Sequence, residues 1–347
     1  MAGRRALGGA ALALAAASAG GCGGRGGAPA GVRLRLGHFP NVTHAQALYA
    51  RATGSFDRAV GVPVEWTQFN AGPSAVEALF AGAVDASYVG PNPAINGFIK
   101  SQGKSFVIVA GAASGGAALV VRADAGIASE NDFHGRTVAT PQLANTQDVA
   151  ARLWFAAHGY TTREKGGDLT ILPLANPDQL LMFGKRQIDA AWTVEPWVSR
   201  LEQEGHGRVF LEERSLWPGG KYVTALLVVR REFLAQHPDV VARLLDAHVG
   251  ATLALNRDAA AAAPLLAAEI KRETAKEIPE AIVRSSLARI ELGWDPLPGA
   301  LAKAADDAHA VGFLRDRPNL AGIVDVGPLN AVLTARRLPP VAQGTKP

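Results

Sequence analysis

Cysteine is almost absent from this sequence: Cys22 is the only one in 347 residues. That excludes an internal disulfide and any metal site built on several thiolates. Basic runs are missing too. Lys and Arg number 35 against 31 Asp and Glu, a formal net charge of +4, and no segment has the Lys/Arg density of a nucleic-acid interface. No apolar run after residue 21 is long enough to cross a bilayer. "GAASGG" lacks the G-K-[ST] ending of a phosphate-binding P-loop. "GGAALVVRAD" runs into a strand where a dinucleotide fingerprint needs a helix. His38 and His44 stand six apart, which is not the spacing of paired ligands on a helix. No Ser/His/Asp set is arranged locally. No cofactor, metal or catalytic set is therefore expected.

What is present starts with a leader. "MAGRR" is a short positive region, "ALGGAALALAAASAG" is apolar but short, and small residues precede Cys22. Residues 1–21 have the form of a secretory signal peptide. The "AGGC" ending resembles a bacterial lipoprotein signal, so Cys22 is expected to carry a lipid anchor. Residues 22–31 are expected to be a flexible tether. Beyond them, apolar strand patterns alternate with helical ones: "VRLRLGHF" then "THAQALYARATG", "VPVEWTQF" then "PSAVEALFAGAV", "DASYVG" then "NPAINGFIKSQG". Such βα alternation predicts an α/β fold with parallel-rich sheets covered by helices. Two similar apolar strands, "AALVVRA" and "TALLVVR", are read as crossovers between two lobes. Lobe 1 is expected over 32–122 and 222–347, and lobe 2 over 123–221.

The polar groups gather where strands end and helices begin, the place where open α/β sheets bind ligands. The first such turn carries Asn41, Thr43 and His44. The second carries Asn92, and the third Ser114, Gly115 and Gly116. The fourth is "TPQLANTQD", with Thr140, Gln142, Asn145, Thr146 and Gln147. The fifth is "WTVEPW", with Trp192 and Glu195. Each residue alone reads most simply as a helix cap or a core side chain. Together they hold no Lys or Arg. Helix N-termini offer unpaired N–H groups and a positive dipole end, so they can hold an anion without a counter-ion. A phosphate dianion or a polycarboxylate would more often recruit Arg. An oxyanion of about one charge suits such a site. At Glu195, hydrogen bonding to a hinge backbone and pairing with a ligand amine are both open readings.

The stretches "GHFPNVTHAQAL", "FNAGPSAVEALFAGAVDASYVGPNPAINGF", "TPQLANTQDVAARLW" and "DAAWTVEPWVSRL" resemble solute-binding proteins of ABC importers in the nitrate/sulfonate/taurine class. The likeness is closest to its aliphatic-sulfonate branch. The resemblance implies a two-lobed type II periplasmic-binding fold with the ligand between the lobes. It also implies export, a permease partner in the membrane and a monomeric protein that catalyses nothing. Its pocket segments fall on Phe39, Asn41, Thr43 and His44, on Gly90 and Asn92, and on Ser114 and Gly115. In the second lobe they fall on Thr140, Gln142, Asn145, Thr146 and Gln147, then Trp192 and Glu195. The implied ligand is an aliphatic sulfonate or a taurine-like anion. A thiamine-precursor pyrimidine, nitrate and bicarbonate are the alternatives. A cytosolic thiamine-pyrimidine synthase shares the fold but uses a cysteine-rich segment that this chain lacks.

Overall fold

The computed structural model describes residues 31–343. The expected leader, Cys22 and all but the last residue of the expected tether lie outside the described residues. Eleven strands form two sheets. They are β1 (Leu34–His38), β2 (Val64–Gln68), β3 (Ala86–Val89), β4 (Phe106–Gly115), β5 (Ala117–Arg122) and β6 (Thr137–Thr140). Then come β7 (Thr170–Pro173), β8 (Ala190–Val194), β9 (Gly207–Glu212), β10 (Val223–Arg230) and β11 (Ile290–Leu292). One sheet has the order β11-β4-β10-β3-β1-β2 and the other β7-β6-β8-β5-β9.

The apolar runs form strands buried on both faces. Along β4, Val107 and Val109 enter one core while Phe106 and Ile108 enter the other. Along β10, Ala225, Leu227 and Val229 alternate in the same way with Leu226 and Val228. In the second sheet Leu119 and Val121 face one core, and Ala118 and Val120 the other. The period of two distributes an unbroken apolar string over two helix-covered faces.

Parallel pairing links β1 to β2 and β3, and β6 to β7 and β8. The strands that enter from the other sheet behave differently: β10 runs antiparallel to β3 and β4, and β5 antiparallel to β8 and β9. Both sheets are therefore mixed rather than parallel-rich. A strand reached by a direct crossover, not through a packed helix, is free to enter in the opposite sense.

The crossovers fall a few residues from where the sequence suggested. Only Gly116 separates β4 from β5, so Ala117–Arg122, assigned by sequence to lobe 1, pairs in the second sheet. Gly115 and Gly116 both have positive φ, 82° and 75°. A Cβ at Gly115 would lie 2.7 Å from the Arg289 carbonyl oxygen, so a side chain has neither the backbone freedom nor the room. The return runs from Glu212 through short turns to Val223. From Arg231 to Ala335 the chain is mainly helical, packing against the first sheet, with β11 added at its edge.

Candidate functional site

Five helices begin where parallel strands end, and their first residues line one cavity. After β1 the turn Phe39–His44 leads into the helix Ala45–Thr53. After β2 the helix Gly72–Phe80 starts, and after β3 the helix Pro91–Lys100, with Gly90 before it. From the second sheet come Thr146–Ala157 after β6 and Asn176–Gly184 after β7. Prolines in the first turn of three of these helices cost nothing, because those N–H groups have no intrahelical partner anyway.

The cavity between these helix starts is tight, about 30 Å3, room for one or two waters. None of its lining residues is Asp, Glu, Lys or Arg. The nearest titratable ring, His44, is fully buried, and burial pushes it down to about 3, with His38 adding to the effect. Its Nδ1 accepts from the Phe39 N–H at 3.2 Å, and its ring stacks on Phe39 with centroids 4.3 Å apart. His44 is therefore a neutral wall. Asp148, one turn into the helix from Thr146, is also spent locally. It accepts from Thr140 Oγ1 at 2.9 Å, from the Ala144 N–H at 2.9 Å and from Arg152 Nε at 3.1 Å. Thr146 Oγ1 is buried in this wall with no hydrogen-bond partner among the described residues. A buried hydroxyl left without a partner needs an explanation, and a bound acceptor supplies one.

The two sheets meet tightly here. Trp197 Nε1 donates to Asn41 Oδ1 at 3.0 Å across the seam. A Cβ built at Gly90 would stand 2.6 Å from Thr146 Oγ1, so the two halves touch where Gly90 has no side chain.

Of the residues expected from sequence, Phe39, Asn41, Thr43, His44, Gly90, Asn145, Thr146 and Gln147 line this cavity. Asn145 also caps its helix, its Oδ1 accepting from the Asp148 N–H at 2.8 Å. Thr140 stands behind the wall as a support for Asp148. Gln142 is half-buried beside the cavity without lining it. Asn92 points the other way, donating from Nδ2 to the Ala304 carbonyl at 3.0 Å. Ser114 and Gly115 belong to the crossover: Ser114 Oγ accepts from the Tyr222 N–H, and the Gly115 carbonyl accepts from Thr224 Oγ1 at 2.6 Å. Trp192 is fully buried in the second lobe's core, its Nε1 donating to Glu213 Oε2 at 2.8 Å.

Glu195 is also outside the cavity. It is fully buried, and both carboxylate oxygens are occupied. Ser199 Oγ and Arg289 Nη1 donate to Oε1 at 2.9 and 3.1 Å, and Ser286 Oγ donates to Oε2 at 2.9 Å. Desolvation nevertheless dominates and raises its pKa, against the serines and Arg289. The Ser199 backbone N–H also donates to Oε2, at 3.2 Å, so of the two open readings the geometry follows the structural one. It ties the helix Trp197–Gln203 to the helix Glu280–Arg289.

The cavity residues that sequence reasoning missed include Asn70, Gly72, Pro93, Asn176 and Thr224. Asn176 had a legible signal, since "NPDQ" repeats the polar-then-proline start of "PNPA". Thr224 had none, because it sits in an apolar strand.

Comparison with known proteins bears on the fold and the lineage. The taurine-binding periplasmic protein of Escherichia coli (strain K12) is 27% identical over 198 residues, 56% of this chain and 58% of that protein. The chain thus spans little more than half the length of that relative. The putative aliphatic sulfonates-binding protein of Bacillus subtilis (strain 168) is 26% identical over 287 residues, 80% of this chain and 82% of that one. The structure of the alkanesulfonate-binding protein SsuA from Xanthomonas axonopodis pv. citri, bound to MOPS, superposes with a TM-score of 0.71 at 22% identity. It covers 84% of this chain and 98% of that one, so the two-lobed fold is shared. Residues 27–270, which carry every strand of the two sheets but β11 and every helix start around the cavity, match the NMT1-like family, and the chain belongs to that family.

Proposed function

We propose that this protein is the extracytoplasmic binding component of an ABC importer, and that it captures a small sulfonate between its lobes. It delivers the anion to a membrane permease and breaks no bond. The observation that carries this reading is the cavity itself. Five helix N-termini meet at a space with no charged side chain, which suits one negative charge held by backbone dipoles and hydroxyls. The taurine- and sulfonate-binding relatives support the choice of anion. A pyrimidine is poorly served. Phe39 is already stacked on His44, Trp192 is in the second lobe's core, and Trp66 packs against the first. The lobes pivot at Gly115–Ala117 and at residues 213–222, and Cys22 holds the mature monomer to the membrane through a lipid.

Isothermal calorimetry with ethanesulfonate, taurine, nitrate, bicarbonate and a pyrimidine tests the reading. The sulfonates are expected to bind. They should also raise the melting temperature, as a ligand selective for the folded state must. Tighter binding of nitrate, bicarbonate or the pyrimidine than of either sulfonate would overturn it. The anchor is tested by Cys22→Ser, which should move the protein from the membrane to the soluble fraction.

A further inference from the structure

Beyond the small cavity lies a second space of about 300 Å3 in the same seam. The two share Asn41, Asn70 and Asn176, which form a neck of amides between them. Both lobes contribute walls. Pro177, Pro196 and Trp197 come from the second lobe, and Ile270 and Ile278 from the helical tail of the first. Two of the three charged side chains in the wall are already paired. Glu273 accepts from Arg51 at 2.6 Å and from His38 at 2.7 Å, while Arg200 pairs with Glu204 at 2.8 Å and lies over the Trp197 ring. Lys276 stands exposed at the rim. Inside that rim the chamber asks no counter-charge of its occupant and offers it prolyl, isoleucyl and indole surface.

We infer that the site is bipartite: the uncharged cavity holds the sulfonate head, and the neighbouring chamber holds an apolar body of about four or more carbons. The preferred ligand class is then the longer alkanesulfonates rather than the two-carbon ones. This rests on the sulfonate reading above. It adds what that reading leaves open, namely a length preference set by residues of the C-terminal helices. A two-carbon body would leave most of the chamber to water, whereas each methylene placed against these walls leaves water and gains up to about fourfold in affinity.

The test is calorimetry on the full mature chain with ethane-, butane- and hexanesulfonate, repeated on Gln68→Trp and Lys276→Trp. Both positions are exposed residues of the chamber wall outside the head cavity, so the variants should fold. Affinity is expected to rise on the order of 100-fold from ethane- to hexanesulfonate. The inserted indole should erase most of that rise while leaving ethanesulfonate within about twofold. A flat series with ethanesulfonate well bound overturns the chamber and leaves the sulfonate reading standing. A rise that survives in both variants, or an equal loss for all three ligands, also overturns the chamber. Failure of every sulfonate to bind overturns both readings.

Discussion

The head-group cavity and the Glu195 junction lie side by side on one seam, separated by the peptide bond after Val194, yet they are built from opposite chemistry. All sixteen residues of the cavity wall are uncharged, and its polarity comes from helix starts, hydroxyls and amides. The junction centres on a fully buried carboxylate paired with Arg289, which also reaches Glu202 at 2.8 Å and Glu212 at 3.2 Å. On the proposed reading, the difference follows from what each must do. A binding site has to lose and regain its anion, so a fixed cation there would hold the ligand through a strong Coulomb term that release must overcome. A pivot has to keep its partners. The junction stands at the crossover, since the Arg289 carbonyl accepts from Arg214 Nη2 at 3.0 Å and abuts Gly115. On that reading the ion-paired junction marks the axis, and neutral dipoles mark the mouth.

The largest effect is expected from breaking the charged side of this comparison. Glu195→Ala leaves Arg289, Ser199 and Ser286 without their shared acceptor. Removing one partner of a buried pair costs roughly 3–5 kcal/mol, and the low end applies because Arg289 keeps Glu202 and Glu212. Chemical denaturation measures the loss. Glu195→Gln, which keeps the shape, should weaken amino-sulfonates and plain alkanesulfonates by the same factor. A selective loss of amino-sulfonates would return Glu195 to the ligand.

A second buried carboxylate sharpens the contrast because it makes no ion pair among the described residues, and Lys303 only partly offsets its desolvation. Glu213, at the return crossover, is fully buried and accepts from Trp192, and desolvation pushes its pKa up to about 7 from 4.5. The folded state then binds the proton over a range where the unfolded chain has released it. Stability from this group is present at low pH and is lost as pH rises from about 4.5 to about 7, on the order of 3 kcal/mol in all. His44 and His248 act in the opposite sense. Burial pushes them down to about 3 and about 4, so they lose stability as pH falls below about 6.5. The comparison that isolates Glu213 is therefore wild type against Glu213→Gln. The variant should gain relative stability from pH 5 to pH 8, and parallel denaturation curves across that range would contradict the assignment.

On the neutral side, Gly90→Val should weaken binding roughly 10- to 100-fold, as overpacking of 1–3 kcal/mol predicts. Its φ of −73° suits any residue, so no backbone strain is added. With the proposed pivoting the clash with Thr146 arises only when the lobes meet, and the melting temperature of the free protein should change little. Small-angle scattering with saturating ethanesulfonate should show the wild type contracting and the variant failing to contract.

These residues also show how much the sequence disclosed. The turns after β1, β3 and β6 were legible because polar side chains stand between an apolar strand and a helix start. Glycine and proline fix those turns locally. The expected anion site without a counter-ion rested on the same local signal, and eight of the named residues do line one cavity. What failed was direction. Asn92, Ser114 and Trp192 occupy the right turns but face a helix, a crossover and a core. Which way a side chain points depends on elements elsewhere in the chain, 212 residues away for Asn92, 108 for Ser114 and 21 for Trp192. Glu195 is the clearest case. Its partners Ser286 and Arg289 come from the C-terminal helices, and nothing near residue 195 announces them.

The smallest effect separates two neighbours that the sequence treated alike. Thr146 and Gln142 both looked like second-lobe contacts to the head group. Thr146 Oγ1 lies in the cavity wall, buried and without a partner among the described residues, while the Gln142 side chain stands outside it. Thr146→Ala removes one hydrogen bond to a charged ligand, worth roughly 1.5–3 kcal/mol, and should weaken every sulfonate by about 10-fold or more. Gln142→Ala removes no contact with the cavity and should stay within about 0.5 kcal/mol of wild type in both affinity and stability. Its backbone carbonyl, which accepts from the Asn145 N–H at 3.1 Å and shapes the cap, is untouched by the change. Equal losses in the two variants would mean that the loop, not the helix start, meets the anion. A loss in neither would mean that the dipoles of the other four helices suffice.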